Sequence, residues 1–208
     1  MNFKKFRLLT CAAYLLFTGT SQASVFENPV FSFTMVSISD ITQTGNSVNV
    51  KIGVSGLSQD SAPSLGAYDL DLSFDPSLLR FSGAVFGDAT LGNQLDLFSL
   101  GGNSSGADLT APGIVNFYEL SFDSVAELNS LQADSFTLAT LSFGVLNFGT
   151  SDLTLSVNAF GDPEGNDLPV TTLSTSVTTV PLPSAIFLMA SGLMGLGFAG
   201  KTRKVVIG

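Results

Sequence analysis

Apolar residues at every second position recur through the middle of this chain, a period that suits β-strands and not amphipathic helices. Val48, Val50, Ile52 and Val54 alternate with Asn49, Lys51 and Gly53, and Tyr68, Leu70, Leu72 and Phe74 alternate with Asp69, Asp71 and Ser73. Phe31, Phe33 and Met35 precede them in the same rhythm; Phe136, Leu138, Leu141, Phe143, Leu153, Leu155 and Val157 follow. Val170 to Val180, rich in Thr and Val, predicts a final strand. Turn residues separate the runs: Thr44-Gly45-Asn46, Asp75-Pro76-Ser77, Gly101-Gly102-Asn103 and Gly161-Asp162-Pro163. Only Ser124 to Gln132 has helical spacing, through Val125, Leu128 and Leu131. Many short strands with one helical turn predict an all-β, antiparallel sandwich.

Both ends of the chain are built differently. Lys4, Lys5 and Arg7 precede an apolar stretch from Leu8 to Phe17, and Ser21-Gln22-Ala23 supplies small residues at a cleavage site. This predicts a Sec-type signal peptide over residues 1–23, cleaved between Ala23 and Ser24. Cys11, the single cysteine, lies inside it, which removes disulfides and thiolate chemistry from the rest. At the other end, Val180-Pro181-Leu182-Pro183-Ser184 opens an apolar run that closes at Gly200, before Lys201, Arg203 and Lys204. Two prolines stop any strand or helix from continuing. The following short helix, residues 184–200, is marginal for a bilayer, and the cations favour the cytoplasmic side.

That C-terminal segment, residues 180–208, resembles the PEP-CTERM sorting signal of exopolysaccharide-producing Gram-negative bacteria, in a V-P-L-P-S variant. The resemblance implies processing by an exosortase-type enzyme, with transient anchoring in the inner membrane before delivery to the outer surface or extracellular matrix. A retained, ordinary membrane anchor is the alternative.

The body, residues 24–179, resembles a cohesin domain. The stretches that carry the likeness are V-K-I-G-V-S-G-L (Val50 to Leu57), A-Y-D-L-D-L-S-F-D-P-S-L-L-R-F (Ala67 to Phe81), S-F-T-L-A-T-L-S-F-G-V (Ser135 to Val145) and G-D-P-E-G-N-D-L-P-V (Gly161 to Val170). The resemblance implies a jelly-roll sandwich of about nine strands that binds a dockerin-like protein, with a fold related to that of some carbohydrate-binding modules.

Charge and missing residue types narrow the function. Between the termini only Lys51 and Arg80 oppose all 17 Asp and Glu residues, so nucleic acid and anionic lipid are repelled. The chain has no histidine and no tryptophan, which removes the commonest general base and the strongest sugar platform. Tyr68 and Tyr118 both alternate in phase with apolar residues, which predicts burial of each. The Gly/Ser-rich stretch Gly101 to Gly106 has no lysine and no following helix, so it predicts a flexible loop and not a phosphate cradle.

Carboxylates remain as candidates. Residues two apart on a strand lie about 6.6 Å apart on one face, so Asp69 and Asp71 meet the separation of a glycosidase pair. The plainer reading puts both on a solvated face, with Asp75-Pro76 opening a turn; Glu119, Ser121 and Asp123 repeat the pattern and predict the same. Asp162, Glu164, Asn166 and Asp167 are weak calcium candidates, because Gly165 and Leu173 depart from the EF-hand spacing. A hairpin turn between the last two strands explains them better. The sequence thus predicts an exported, non-enzymatic binding module for protein or carbohydrate, with no cofactor. The alternatives are a polysaccharide-active enzyme using Asp pairs and a calcium-dependent adhesion module.

Overall fold

The computed structural model describes residues 34–181 and Ser191. The expected signal peptide, Phe31 and Phe33, Leu182 to Ser184, the rest of the C-terminal apolar run and the basic cluster lie outside the described residues.

The described chain forms ten strands and one helix: β1 Thr34–Thr44, β2 Ser47–Ser55, β3 Ala67–Ser73, β4 Leu79–Phe86, β5 Asn103–Ala111, β6 Ile114–Ser121, α1 Val125–Leu131, β7 Ser135–Val145, β8 Gly149–Gly161, β9 Val170–Leu173 and β10 Thr175–Thr179. They make two five-stranded sheets, ordered β4-β7-β2-β1-β9 and β10-β8-β3-β6-β5. All pairs are antiparallel except β1 with β9. The sandwich read from the two-residue period is the observed fold.

The alternating residues fill the space between the sheets. Val48, Val50, Ile52, Leu141 and Phe143 of the first sheet meet Leu70, Leu72, Val115, Phe117 and Leu153 of the second, all fully buried. Phe143 is the aromatic pivot, with ring centroids 5.0 Å from Phe74 and 5.8 Å from Phe81 in edge-on contacts. The helix is local: Ser124 caps its start, accepting from the Glu127 amide while the Glu127 carboxylate returns to the Ser124 amide. That reciprocal capping box fixes the helix start.

Three local expectations need correction. Val170 to Val180 is not one strand but two, in opposite sheets: β9 pairs with β1, while β10 pairs with β8. A sandwich corner requires the chain to switch sheets, and a Thr/Val composition carries no information about which edge is free. The described residues hold ten strands, where the cohesin resemblance implies about nine. Second, the flexible loop expected over Gly101 to Gly106 becomes strand from Asn103 onward, because β6 supplies a ladder partner whatever the propensity of Ser and Gly. Third, the phase of β6 is the reverse of the expected one. Val115, Phe117 and Glu119 point inward, and Tyr118 and Leu120 point out.

Candidate functional site

The outer face of the second sheet is assembled by register. Asp69 on β3 sits opposite Tyr118 on β6, and Asp71 sits opposite Asn116. On the far side of β6, Gly106 of β5 pairs with Tyr118 and Asp108 pairs with Asn116. Directly paired residues share a face, so these six positions form one patch. Asn116 Nδ2 donates to Oδ1 of both Asp69 and Asp71, the latter at 2.9 Å, and Asn158 Nδ2 from β8 reaches Asp69 Oδ1 at 3.1 Å. The Asp69–Asp71 pair therefore lies on the outer face, as its alternation predicts, and is positioned by amide donors from both neighbouring strands.

Tyr118 is 40 % exposed, which overturns its expected burial; Leu120 beside it is 46 % exposed. The phase of Tyr118 on β6 turns its side chain outward, and β5 gives the ring room. A Cβ added to Gly106 would come within 2.9 Å of the Tyr118 hydroxyl oxygen and 3.0 Å of Cε1 and Cζ. The missing side chain lets the ring lie down across β5. A half-exposed aromatic surface results, with Asp69, Asp71 and Asp108 around it.

Charge is divided between the sheets. The strands of the second sheet carry Asp69, Asp71, Asp108, Asp152 and Glu119 and no cation. Lys51 on β2 and Arg80 on β4, the only cations among the described residues, both belong to the first sheet. The electrostatic face of this domain is the second sheet.

Glu119 contradicts its expected solvated position: it is 1 % exposed. Its Oε2 accepts from the Tyr68 hydroxyl at 3.1 Å, and its Oε1 accepts from the side-chain amides of Asn93 and Asn103. Tyr68 is buried as expected, and its phenol is raised well above the usual value by burial first, then by the Glu119 charge and hydrogen bond. Asp123 is likewise recruited inward, accepting from the Leu97 amide at 2.8 Å. These two acids and Asp88 anchor the long β4–β5 connection. The Asp88 carboxylate accepts from the amides of Thr90 and Leu91 and from both the amide and the hydroxyl of Thr137. Those donors, that of Thr90 foremost, lower its pKa to about 2 against a smaller opposing effect of burial. Asp75 behaves as predicted, opening a turn by accepting from the amide and hydroxyl of Ser77.

The calcium candidates close on each other. Both carboxylate oxygens of Asp162 accept from Asn166, its amide at 2.8 Å and its side chain at 2.9 Å. Gly161 and Asp167 form an isolated antiparallel bridge, so the turn is hairpin-like, but it does not join paired strands: β9 crosses to the other sheet. Among the described residues no group of three or more His, Cys, Asp or Glu is arranged to hold a metal ion. A cleft of about 290 Å³ opens next to this turn, floored by Leu128 and Phe160 and bordered by Leu120, Asp123 and Asp167. No helix among the described residues is long and apolar enough to cross a membrane.

Tyr118, Leu120, Asn116, Gly106 and Asp108 were not singled out as a site by sequence, and β6 shows why. Its segment Ile114 to Ser121 is apolar in both phases, with Val115 and Phe117 on one and Tyr118 and Leu120 on the other. Asn116, in the Tyr118 phase, was the available signal that this phase faces water.

The cohesin-domain family model matches residues 33–179. No curated protein matches the chain. Among solved structures, the sixth cohesin of Acetivibrio cellulolyticus scaffoldin B, in complex with a dockerin, shares 17% identity at a TM-score of 0.54, covering 71% of this chain and 99% of that one. A cohesin–dockerin complex from Clostridium thermocellum gives 14% identity and a TM-score of 0.54, covering 71% and 99%. A non-cellulosomal cohesin from the archaeon Archaeoglobus fulgidus gives 17% identity and a TM-score of 0.51, covering 75% and 97%. The sandwich of these distant structures is the sandwich seen here, and the family model spans nearly all of the described residues: the chain belongs to the cohesin-domain family.

Proposed function

We propose that this chain is an exported docking module that receives a dockerin-like protein on the outer face of the β10-β8-β3-β6-β5 sheet. Cohesin domains are non-catalytic binding modules, which removes the enzyme alternative built on Asp69 and Asp71. The observation that carries the choice of face is the combination of exposed Tyr118 and Leu120 with four outward aspartates and no cation. Exposed aromatic and aliphatic side chains bordered by one sign of charge fit the core and rim of a protein interface. The Acetivibrio and Clostridium relatives were both solved with dockerins, which supports the same class of partner here. A carbohydrate ligand is the second reading, favoured by the exposed ring of Tyr118.

Delivery is part of the proposal. Sec export with cleavage after Ala23 and exosortase processing at Val180-Pro181-Leu182-Pro183-Ser184 would bring the domain to the outer surface or exopolysaccharide matrix of a Gram-negative bacterium. The end of the fold supports this division of the chain. Thr179 is buried and hydrogen-bonded to Gly149 and Asn147, and Val180 exchanges two hydrogen bonds with the Gln43 side chain, so the packed body reaches up to the first residue of the proposed motif.

Two experiments test the proposal. Immobilised full-length protein should retain members of a dockerin panel, and Leu120→Asp should abolish retention; a panel with no binder, or a Leu120→Asp protein that binds unchanged, rejects the docking face. The mass of protein recovered from its native envelope should place the new C-terminus near Ser184. An intact Gly208 end rejects processing.

A further inference from the structure

Resting on that docking face, we infer that the partner inserts an arginine side chain over the ring of Tyr118, with Asp69 as its principal carboxylate partner. Four observations converge on this position. The bare backbone of Gly106 leaves room for the Tyr118 ring, whose hydroxyl, Cε1 and Cζ occupy the space a Cβ would need, and the ring is 40 % exposed. Asp69 stands directly across the ladder from Tyr118, while Asp71 and Asp108 sit opposite Asn116, one ladder step away along the same face. Asn116 and Asn158 engage Oδ1 of Asp69, and no donor among the described residues occupies its Oδ2. Finally, no Lys or Arg of this sheet competes for the site.

A planar cation is the ligand chemistry that satisfies all four. Guanidinium stacks on an aromatic face while its N–H fork reaches a carboxylate at the ring edge, and it is more weakly hydrated than ammonium, so it is desolvated at lower cost. A lysine would gain the charge without the stacking or the fork. A neutral sugar would gain the stacking but would leave three carboxylates without a counter-charge.

Tyrosine fluorescence of the purified full chain is free of tryptophan, and the part lost in Tyr118→Phe is the signal of the site. The probes are end-capped tripeptides carrying arginine, lysine or citrulline between glycines, with cellohexaose as the neutral glycan. Saturable quenching by the arginine peptide is expected, weakened about tenfold with lysine and absent with citrulline. Tyr118→Ala and Asp69→Asn, measured by titration calorimetry because the first removes the reporter ring, should each reduce the arginine affinity about tenfold or more at an unchanged melting temperature, and Gly106→Ala should reduce it by lifting the ring. Equal binding of citrulline and arginine, an arginine response indifferent to Tyr118→Ala, or quenching by cellohexaose in place of arginine overturns the inference. Capture of a dockerin that is lost in Leu120→Asp but unaffected by Tyr118→Ala and Asp69→Asn would reject the arginine anchor alone. An arginine response with no dockerin retained would reject the docking partner alone.

Discussion

Glu119 faces Tyr68 directly across the β3–β6 ladder, and the buried phenol donates to its Oε2 at 3.1 Å. With Asn93 and Asn103 on the other oxygen, one carboxylate ties β3, β6, the start of β5 and the β4–β5 connection together. It lies under the outward face formed by Tyr118 and Leu120, so the docking surface and the buried network are two sides of one strand.

Removing that carboxylate should be among the most destabilising changes in the domain. Glu119→Ala strands the buried Tyr68 hydroxyl and two part-buried asparagine amides at once, at an expected cost of about 3–5 kcal/mol in urea unfolding. Glu119→Gln, which keeps one acceptor, should cost less. An Ala variant as stable as the parent would show that the network is not a source of stability.

Tyr68 predicts an alkaline transition. Its folded pKa is raised well above 10.0, so the bonded phenol stabilises the fold fully below the unfolded value and loses that contribution as pH climbs from about 10 toward the folded value. Phenolate absorbance from Tyr68 should appear only as the protein unfolds, above its ordinary 10.0. A phenolate signal near pH 10 from folded protein that disappears in Tyr68→Phe would contradict this.

Asp88 gives the acid side. Its folded pKa of about 2 lies below its ordinary 3.8, so the stabilisation is present above the ordinary value and is lost as pH falls toward 2. Asp88→Asn should lower stability at neutral pH and flatten the decline between about pH 4 and pH 2, measured as urea midpoints across that range.

Gln132, at the end of α1, ties the helix to the β2–β3 and β4–β5 connections. Its side-chain amide accepts from the Leu65 amide at 2.6 Å and donates to the carbonyls of Leu65 and Gln94, both at 2.9 Å. Gln132→Leu leaves those backbone groups buried and unpaired, and a loss of about 2–4 kcal/mol is expected from chemical denaturation. A neutral effect would mean that water replaces the amide.

Gly113 is required by conformation and by space. It has φ of +81°, and a Cβ there would lie 2.6 Å from the Phe74 carbonyl oxygen. Gly113→Ala should cost about 2–3 kcal/mol, visible as a lower melting temperature, while Gly165→Ala, at φ +86° with open space around it, should cost about 1 kcal/mol.

Period-two alternation determined the sandwich, because a strand with one apolar face has to bury that face whatever its neighbours are. The unmixed phases of β2 and β3 made Val50, Leu70 and the outward Asp69–Asp71 pair legible before any contact was known, and the three-residue spacing of Val125, Leu128 and Leu131 marked the helix just as locally. Tertiary structure decided everything that depended on a choice between equals. β6 offers apolar residues on both phases, and only its register against β3 and the bare backbone of Gly106 send Glu119 inward and Tyr118 out. The Thr/Val tail could join either sheet, and free edges on both divided it into β9 and β10. Local pattern specifies which faces are oily; which oily face meets water is a property of the assembled ladder.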